Sequence, residues 1–183
     1  MGSVKQLLEV GGKSLVARAV DAALGSHARP VVVVLGANAG RVAAVVADRP
    51  VLSANNANWK EGMASSIHTG LSALLGADPS LDAVLVTPCD QPALSSDVIT
   101  LLAALHRATG RVSAARYRGR NGAPAIFGRE HFGTLMALTG DEGARKLLNS
   151  NPGKVVAIDL PELGVDLDTP ADYADWNGRR TQT

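Results

Sequence analysis

The sequence predicts an α/β domain of the doubly wound kind, with one mostly parallel sheet and helices on both faces. Three observations carry that reading. Short β-branched runs, Val31 to Leu35 and Val84 to Val86 among them, alternate with stretches of helical spacing, the order that right-handed parallel crossovers produce. These runs are apolar at consecutive positions, as strands covered on both faces must be. The composition, 46% hydrophobic with only 3% aromatic, belongs to a Val/Ala/Leu core of the layered α/β type. At 183 residues the chain is most simply one domain, residues 1–183, long enough to bury a sizeable core.

Taken in order, Gln6 to Val10 leads into a Gly11-Gly12 turn, and Ser14 caps a helix from Leu15 to Leu24 that Gly25 closes. Val31 to Leu35 is a buried strand, Gly36 turns it into a short helix around Arg41 to Ala47, and Val51 to Ser53 is the next strand. A polar loop from Ala54 to Gly62 discharges into a helix from Met63 to Leu75. The stretch Val84 to Pro92 reads as a strand buried on both faces that ends in Asp90, and a helix runs from Ser96 to Ala108. Val112 to Tyr117 and Pro124 to Phe127 flank a Gly119 to Gly122 turn as a hairpin or β-arm. Helices then cover Arg129 to Leu138 and Ala144 to Ser150, and Val155 to Asp159 is a strand. Val165 to Asp168 runs into Thr169-Pro170, a cap and first position of a closing helix. No repeat, linker or low-complexity segment interrupts this order.

Eighteen Lys and Arg against 17 Asp and Glu leave a formal charge of +1, without a basic stripe, so nucleic-acid and membrane-surface binding find no support. The longest β-branched run is far too short to span a bilayer, and no signal peptide opens the chain. A single cysteine, Cys89, excludes an internal disulfide, which fits a cytoplasmic protein. Cys89 has no His nearby in sequence and reads as a buried residue rather than a nucleophile. The histidines, His27, His68, His106 and His131, lack zinc-ligand spacing.

The candidate chemistry sits at strand ends. Ligands of open α/β sheets bind at the carboxyl edge of the strands, and a carboxylate there, Asp90, suits Mg²⁺ carrying substrate phosphates; its alternative role is to cap the following turn. Asp168 ends another strand, and parallel neighbours would bring both carboxylates to one edge. Lys5 offers the compact positive charge that phosphate oxygens favour. The helix that starts at Met63-Ala64-Ser65-Ser66 presents free N–H groups and hydroxyls to a ligand, or forms an ordinary cap.

Lys5-Gln6-Leu7-Leu8, Gly11-Gly12, the run Asn56 to Ser66, Asp90-Gln91-Pro92, Gly140-Asp141-Glu142-Gly143-Ala144-Arg145 and Asp166-Leu167-Asp168-Thr169-Pro170 follow one another in a telling order. This series resembles that of the molybdenum-cofactor cytidylyltransferases, members of the MobA-like nucleotidyltransferase group. The resemblance implies a Rossmann-like fold, nucleotide-diphospho-sugar transferase-like, that joins CMP from CTP to the terminal phosphate of molybdopterin and releases pyrophosphate. It implies Lys5 and Asp90 as catalytic residues, and Asp90 with Asp168 as ligands of Mg²⁺. Gly2, Lys5, Asn56, Gly62, Ser65 and Ser66 would then meet the nucleotide, and Gly122, Pro124, Asp141 and Arg145 would face the cofactor substrate. The partners implied are CTP or another NTP and a molybdopterin-type cofactor, with an acceptor molybdoenzyme or its chaperone beyond.

Two positions depart from the family pattern. The family opens with a strand and a phosphate loop of the form Leu-Ala-Ala-Gly-x-Ser-x-Arg-Met-Gly-x-x-Lys, and here only Met1-Gly2-Ser3-Val4-Lys5 stands at its end. The expectation is that the native protein carries roughly a dozen further N-terminal residues, the length a strand and glycine loop need. Ala123 stands where the family usually has His, which bears on the second substrate. Other readings are a GTP-dependent guanylyltransferase, an NAD(P)H-dependent reductase like that of a nicotine-derived pigment, and a non-catalytic cofactor-binding module. A redox role lacks an intact G-x-G-x-x-G after a strand.

Overall fold

The computed structural model describes residues 4–150, 152–165, 167, 173 and 176. The chain opens with a small antiparallel hairpin, β1 (Glu9–Val10) and β2 (Lys13–Ser14), across the expected Gly11-Gly12 turn. Ser14 caps α1 (Leu15–Gly25), its hydroxyl accepting from the Ala17 amide at 3.3 Å. β3 (Val32–Leu35), α2 (Ala39–Val46) and β4 (Leu52–Asn55) follow as a crossover unit, with β3 and β4 paired in parallel. α3 (Met63–Ala77) leads to β5 (Ala83–Val86), and α4 (Ser96–Thr109) to β6 (Val112–Tyr117), which turns tightly into β7 (Arg120–Gly128). α5 (Phe132–Met136), α6 (Ala144–Ser150) and β8 (Val155–Asp159) come next.

Four strands share one sheet in the order β5-β7-β6-β8. β7 runs against both of its neighbours, while β6 and β8 are parallel, so β5, β6 and β8 point the same way. The β3–β4 pair is a separate sheet, and the second edge of β3 and of β5 carries no strand among the described residues.

Side chains alternate across the larger sheet with period two. Val112 and Ala114 of β6 and Ala125 and Phe127 of β7 pack with Ile67, Leu71, Leu135 and Leu148 from α3, α5 and α6. Ala115 and Tyr117 turn the other way, onto Ile99 of α4 and Leu163. Ser113, the polar member of that face, gives its hydroxyl to the Leu102 carbonyl at 2.9 Å, so its burial leaves no donor wanting. A third cluster joins α1, α2 and β3 through Val16, Val20, Leu35, Val42 and Val46. Helices therefore cover both faces, as the sequence predicts.

Several boundaries differ from the sequence reading. β5 stops at Val86, and Asp90 sits in the turn beyond it, because Pro88 has no N–H to carry a ladder forward. β5 is not fully covered either: of its residues only Val84 is buried, since one edge of the strand faces a slot instead of a neighbour. The helix expected over Arg129 to Leu138 is a turn of 3₁₀ helix followed by the short α5. The closing helix after Thr169-Pro170 falls outside the described residues.

Phe127 is 1% exposed at the centre of the sheet, whereas Leu101 on α4 is 50% exposed. Phe127→Ala is expected to cost about 3–5 kcal/mol in urea unfolding, and Leu101→Ala less than about 0.5 kcal/mol. Equal midpoints for the two variants would contradict the core assignment.

Candidate active site at the carboxyl edge of the sheet

The turn that follows β5 brings charge to one place. The Lys5 ammonium lies 2.7 Å from Asp90 Oδ2, with the two side chains 25% and 28% exposed. The amide of Leu167 donates to the Asp90 carbonyl at 3.4 Å, so the segment that precedes Asp168 runs past the same turn. Asp168 and Gly2 themselves lie outside the described residues.

Beside Asp90, the buried Gln91 amide nitrogen donates to Tyr117 Oη at 3.1 Å, to the Ala123 carbonyl at 3.0 Å and to the Leu163 carbonyl at 3.1 Å. These bonds bring the Gly122–Pro124 segment of β7 against the Asp90 turn. Arg18 of α1 reaches the Pro92 carbonyl at 2.9 Å from the other side. A Cβ on Gly122 would stand 2.4 Å from Tyr117 Oη, so glycine is what lets the tyrosine close over that strand.

The second group gathers at the start of α3. Asn56 is buried, and its Nδ2 donates to Ser65 Oγ at 2.9 Å and to Ser66 Oγ at 3.1 Å. Its Oδ1 accepts from the Asn58 amide at 3.0 Å, and the single Ser65 hydroxyl proton is shared between the carbonyls of Gly62 and Asn58. These polar side chains therefore hold the loop rigid by bonding one another. Gly62 has φ +102°, and a Cβ there would come within 2.4 Å of the Gly140 carbonyl and 2.6 Å of the Asp141 carboxylate. That close approach requires glycine and sets Asp141 beside the amino end of α3. The Ala64 amide, one of the open N–H groups of that helix end, donates to the Gly140 carbonyl at 3.0 Å.

Arg145 is exposed on α6, and the Asn149 side chain ties that helix to β7 by donating to the Arg145 carbonyl at 2.8 Å and the Asn121 carbonyl at 3.0 Å. Lys5, Asp90 and Ser66 line one cavity of about 420 Å³, together with Met63 and Cys89. The structure so brings Lys5, Asp90 and Ser66 to one cavity, Gly122 and Pro124 to the Asp90 turn, and Asp141 to Gly62. No contact joins Asp141 or Arg145 directly to Lys5 or Asp90 among the described pairs. Gln91, Tyr117 and Arg18 were not singled out from the sequence, since their partners lie 26, 72 and 74 residues away.

Among the described residues no three His, Cys, Asp or Glu side chains cluster tightly enough to cage a metal. A single hard carboxylate, partly open to solvent, instead fits an ion that takes most of its oxygens from water and phosphate, as Mg²⁺ and Mn²⁺ do. Cys89 has a different character: burial, helped by the negative charge of Asp90, pushes its thiol up to about 11. A thiol held up in this way carries little thiolate near neutrality, which agrees with a packing role rather than a nucleophilic one.

The MobA-like NTP transferase domain family matches residues 1–155. The nicotine blue oxidoreductase of Paenarthrobacter nicotinovorans is 34% identical over 176 residues, covering 90% of this chain and 83% of that protein. The purine catabolism protein PucB of Bacillus subtilis is 35% identical over 120 residues, 62% of this chain and 55% of that one. A crystal structure of Rv0371c from Mycobacterium tuberculosis H37Rv in complex with manganese has a TM-score of 0.76 and 26% identity, covering 95% of this chain and 91% of that one.

With its thiol near 11, Cys89 is expected to resist iodoacetamide at pH 8, where only about 0.1% is thiolate, and to react about tenfold faster with each pH unit above that. A rate already at plateau by pH 9 would show that the thiol is not held up by its surroundings.

Proposed function

The chain belongs to the MobA-like NTP transferase family, and from that premise we propose that it is a nucleotidyltransferase joining CMP from CTP to the terminal phosphate of a molybdopterin-type cofactor. The observation that carries this reading is the Lys5–Asp90 pair, set beside Ser66 in one cavity at the carboxyl edge of the sheet. Such an edge receives phosphates in open α/β sheets, and a compact ammonium beside a hard carboxylate is chemistry for a nucleoside triphosphate with its metal.

In the proposed reaction a phosphate oxygen of the cofactor attacks the α-phosphorus of CTP in line. A new P–O bond forms as the bond between the α- and β-phosphoryl groups breaks, and pyrophosphate leaves with the electron pair. Lys5 stands where it can neutralise charge on the phosphoryl oxygens, which is the larger part of catalysis in such transfers. Asp90, with Asp168 as a second ligand, would hold Mg²⁺, whose contribution is to offset the charge of the triphosphate. Asn56, Ser65 and Ser66, locked together, would orient the amino end of α3 toward the nucleotide, with Gly62 alongside and Gly2, which lies outside the described residues, as a further expected contact. Asp141 and Arg145, both exposed, would be the side that meets the cofactor, with Gly122 and Pro124 buried behind the Asp90 turn as its backing.

The 34% identity to a nicotine blue oxidoreductase supports a second reading, a reductase that takes NAD(P)H. After β3 the chain reads Gly36-Ala37-Asn38-Ala39-Gly40, a spacing unlike G-x-G-x-x-G.

Thermal-shift titration with CTP, GTP, ATP and NADPH, each with and without Mg²⁺, separates these readings. CTP with Mg²⁺ at about 100 times its Kd is expected to stabilise the protein by about 2.7 kcal/mol. A shift with NADPH alone favours the reductase, and a shift with GTP alone a guanylyltransferase.

Asp90→Asn is expected to lower kcat/KM at least about 100-fold while costing the fold no more than about 1 kcal/mol. Wild-type turnover in that variant would place the metal elsewhere.

A further inference from the structure

The turn between α5 and α6 carries a carboxylate that the fold does not use. The Glu142 amide donates to the Thr139 carbonyl at 3.1 Å, which puts Gly140 and Asp141 at the tip of that turn. The tip is fixed against α3, because the Ala64 amide holds the Gly140 carbonyl at 3.0 Å. Asp141 is exposed, and among the described residues its carboxylate has no hydrogen-bond or ion-pair partner. An aspartate in a turn ordinarily bends its oxygens back onto nearby amides. Asp78 does so in this chain, accepting from the Ser80 amide at 2.9 Å and the Ser80 hydroxyl at 2.6 Å. Asp141 instead lies over Gly62, where a Cβ would come within 2.6 Å of its Oδ1. The neighbouring cation is spent elsewhere, since Lys146 pairs with Glu142.

An apolar platform stands beside that carboxylate. Met63, the first residue of α3, is 54% exposed, the most of any large apolar side chain among the described residues. It lines the cavity that holds Lys5, Asp90 and Ser66. Gly143, two residues after Asp141, approaches it so closely that an added Cβ would stand 3.4 Å from Met63 Cγ. Met63 therefore joins the cavity to the turn that bears Asp141. Asp141 itself touches neither Lys5 nor Asp90, so it is set for a part of a ligand other than its phosphates.

The chemistry of the two side chains selects that part. A thioether offers a polarisable, apolar surface on which a flat ring can lie. A carboxylate only accepts, through two oxygens, and so matches an edge that presents two adjacent N–H donors. A 2-amino-4-oxopyrimidine ring has such an edge, its ring N–H standing next to its exocyclic amine, and both guanine and the pterins contain one. Cytosine and adenine each set a ring nitrogen lone pair beside the amine, which a carboxylate repels.

We propose that Met63 and Asp141 seat a 2-amino-4-oxopyrimidine ring, Met63 against its face and Asp141 bonded to its two donors. The inference rests on the reading that the Lys5–Asp90 cavity takes the substrates' phosphates. It adds the ring that accompanies one of them, the pterin of the second substrate or the guanine of a nucleotide.

The test is an exchange of donor for acceptor in the full chain. Fluorescence titration compares pterin with lumazine, which has an oxo group in place of the amine, and calorimetry with Mg²⁺ compares GTP with XTP, which differs in the same way. In one of the two pairs the amino compound is expected to bind at least about tenfold more tightly than the oxo compound. Asp141→Asn, whose amide can donate to the oxo group, is expected to reverse that ratio. A general loss of folding weakens both members alike and leaves the ratio where it was. Met63→Ala is expected to weaken both members about threefold without altering their ratio. A preference within the pterin pair assigns the ring to the second substrate, and one within the guanine pair assigns it to the nucleotide. Equal binding within both pairs overturns the proposal, as do a failure of all four compounds to bind, a preference that survives Asp141→Asn, and unchanged affinity in Met63→Ala. The CTP titration and the Asp90→Asn variant judge the nucleotidyltransferase reading without reference to Asp141, so the two can fail separately.

Discussion

The turn from Cys89 to Pro92 is pinned from four directions, and the remainder of the carboxyl edge depends on that anchoring. Lys5 holds the Asp90 carboxylate, the Leu167 amide holds its carbonyl, Arg18 holds the carbonyl of Pro92, and Gln91 reaches across to Tyr117, Ala123 and Leu163. The partners come from the chain's start, from α1, from the β6–β7 hairpin and from the segment after β8. A turn with prolines at both 88 and 92 can offer few backbone donors of its own, so side chains from elsewhere must fix it. Gln91 matters most in this respect, because its amide is buried and its two N–H groups are shared among three acceptors, each on a different strand or loop. A carboxylate on such a frame is held in place before any ligand binds, which is what electrostatic preorganisation would require of the proposed reaction.

Much of the fold was legible because its signals are local. The period of the apolar residues, the Ser14 cap, the Gly11-Gly12 turn and the Val112–Tyr117 strand each depend on a few neighbouring residues, and each appears where the sequence puts it. The end of β5 was not legible in the same way. Val84 to Pro92 reads as one strand until the ladder is considered, and the ladder stops at the Val86–Ala125 pair. The half-exposure of Val33 and Leu85 was equally hidden, since consecutive apolar residues state what a strand can bury but not whether a neighbour is there to bury it. At the site, the Asn56–Ser66 loop could be read as a unit because its contacts span ten residues or fewer. The Gln91 and Arg18 contacts span up to 74 residues, and no spacing rule reaches that far.

The chain's relatives pull toward different chemistry, and the physical reason lies in what the family fold supplies. A frame that seats a charged pair beside a rigid helix end can serve many reactions without fixing which bond is made. Nicotine blue oxidoreductase and PucB are 34% and 35% identical to this chain over the parts they match, yet one is named for an oxidoreduction and the other for purine catabolism. Residues that bear the fold cannot separate such cases. Those that could are the ones that the resemblance assigns to the second substrate, and Ala123 is one of the two places where this chain departs from the family pattern. Its carbonyl is already committed to Gln91 and Tyr117, so whatever distinguishes it acts through the small methyl side chain and the room that leaves.

Lys5 is paired with Asp90 and lines the same cavity, so the ammonium that would meet phosphate stands beside the carboxylate that would hold the metal. An ion pair with both partners about a quarter exposed contributes on the order of 1 kcal/mol or less, too little to hold a chain end in register by itself.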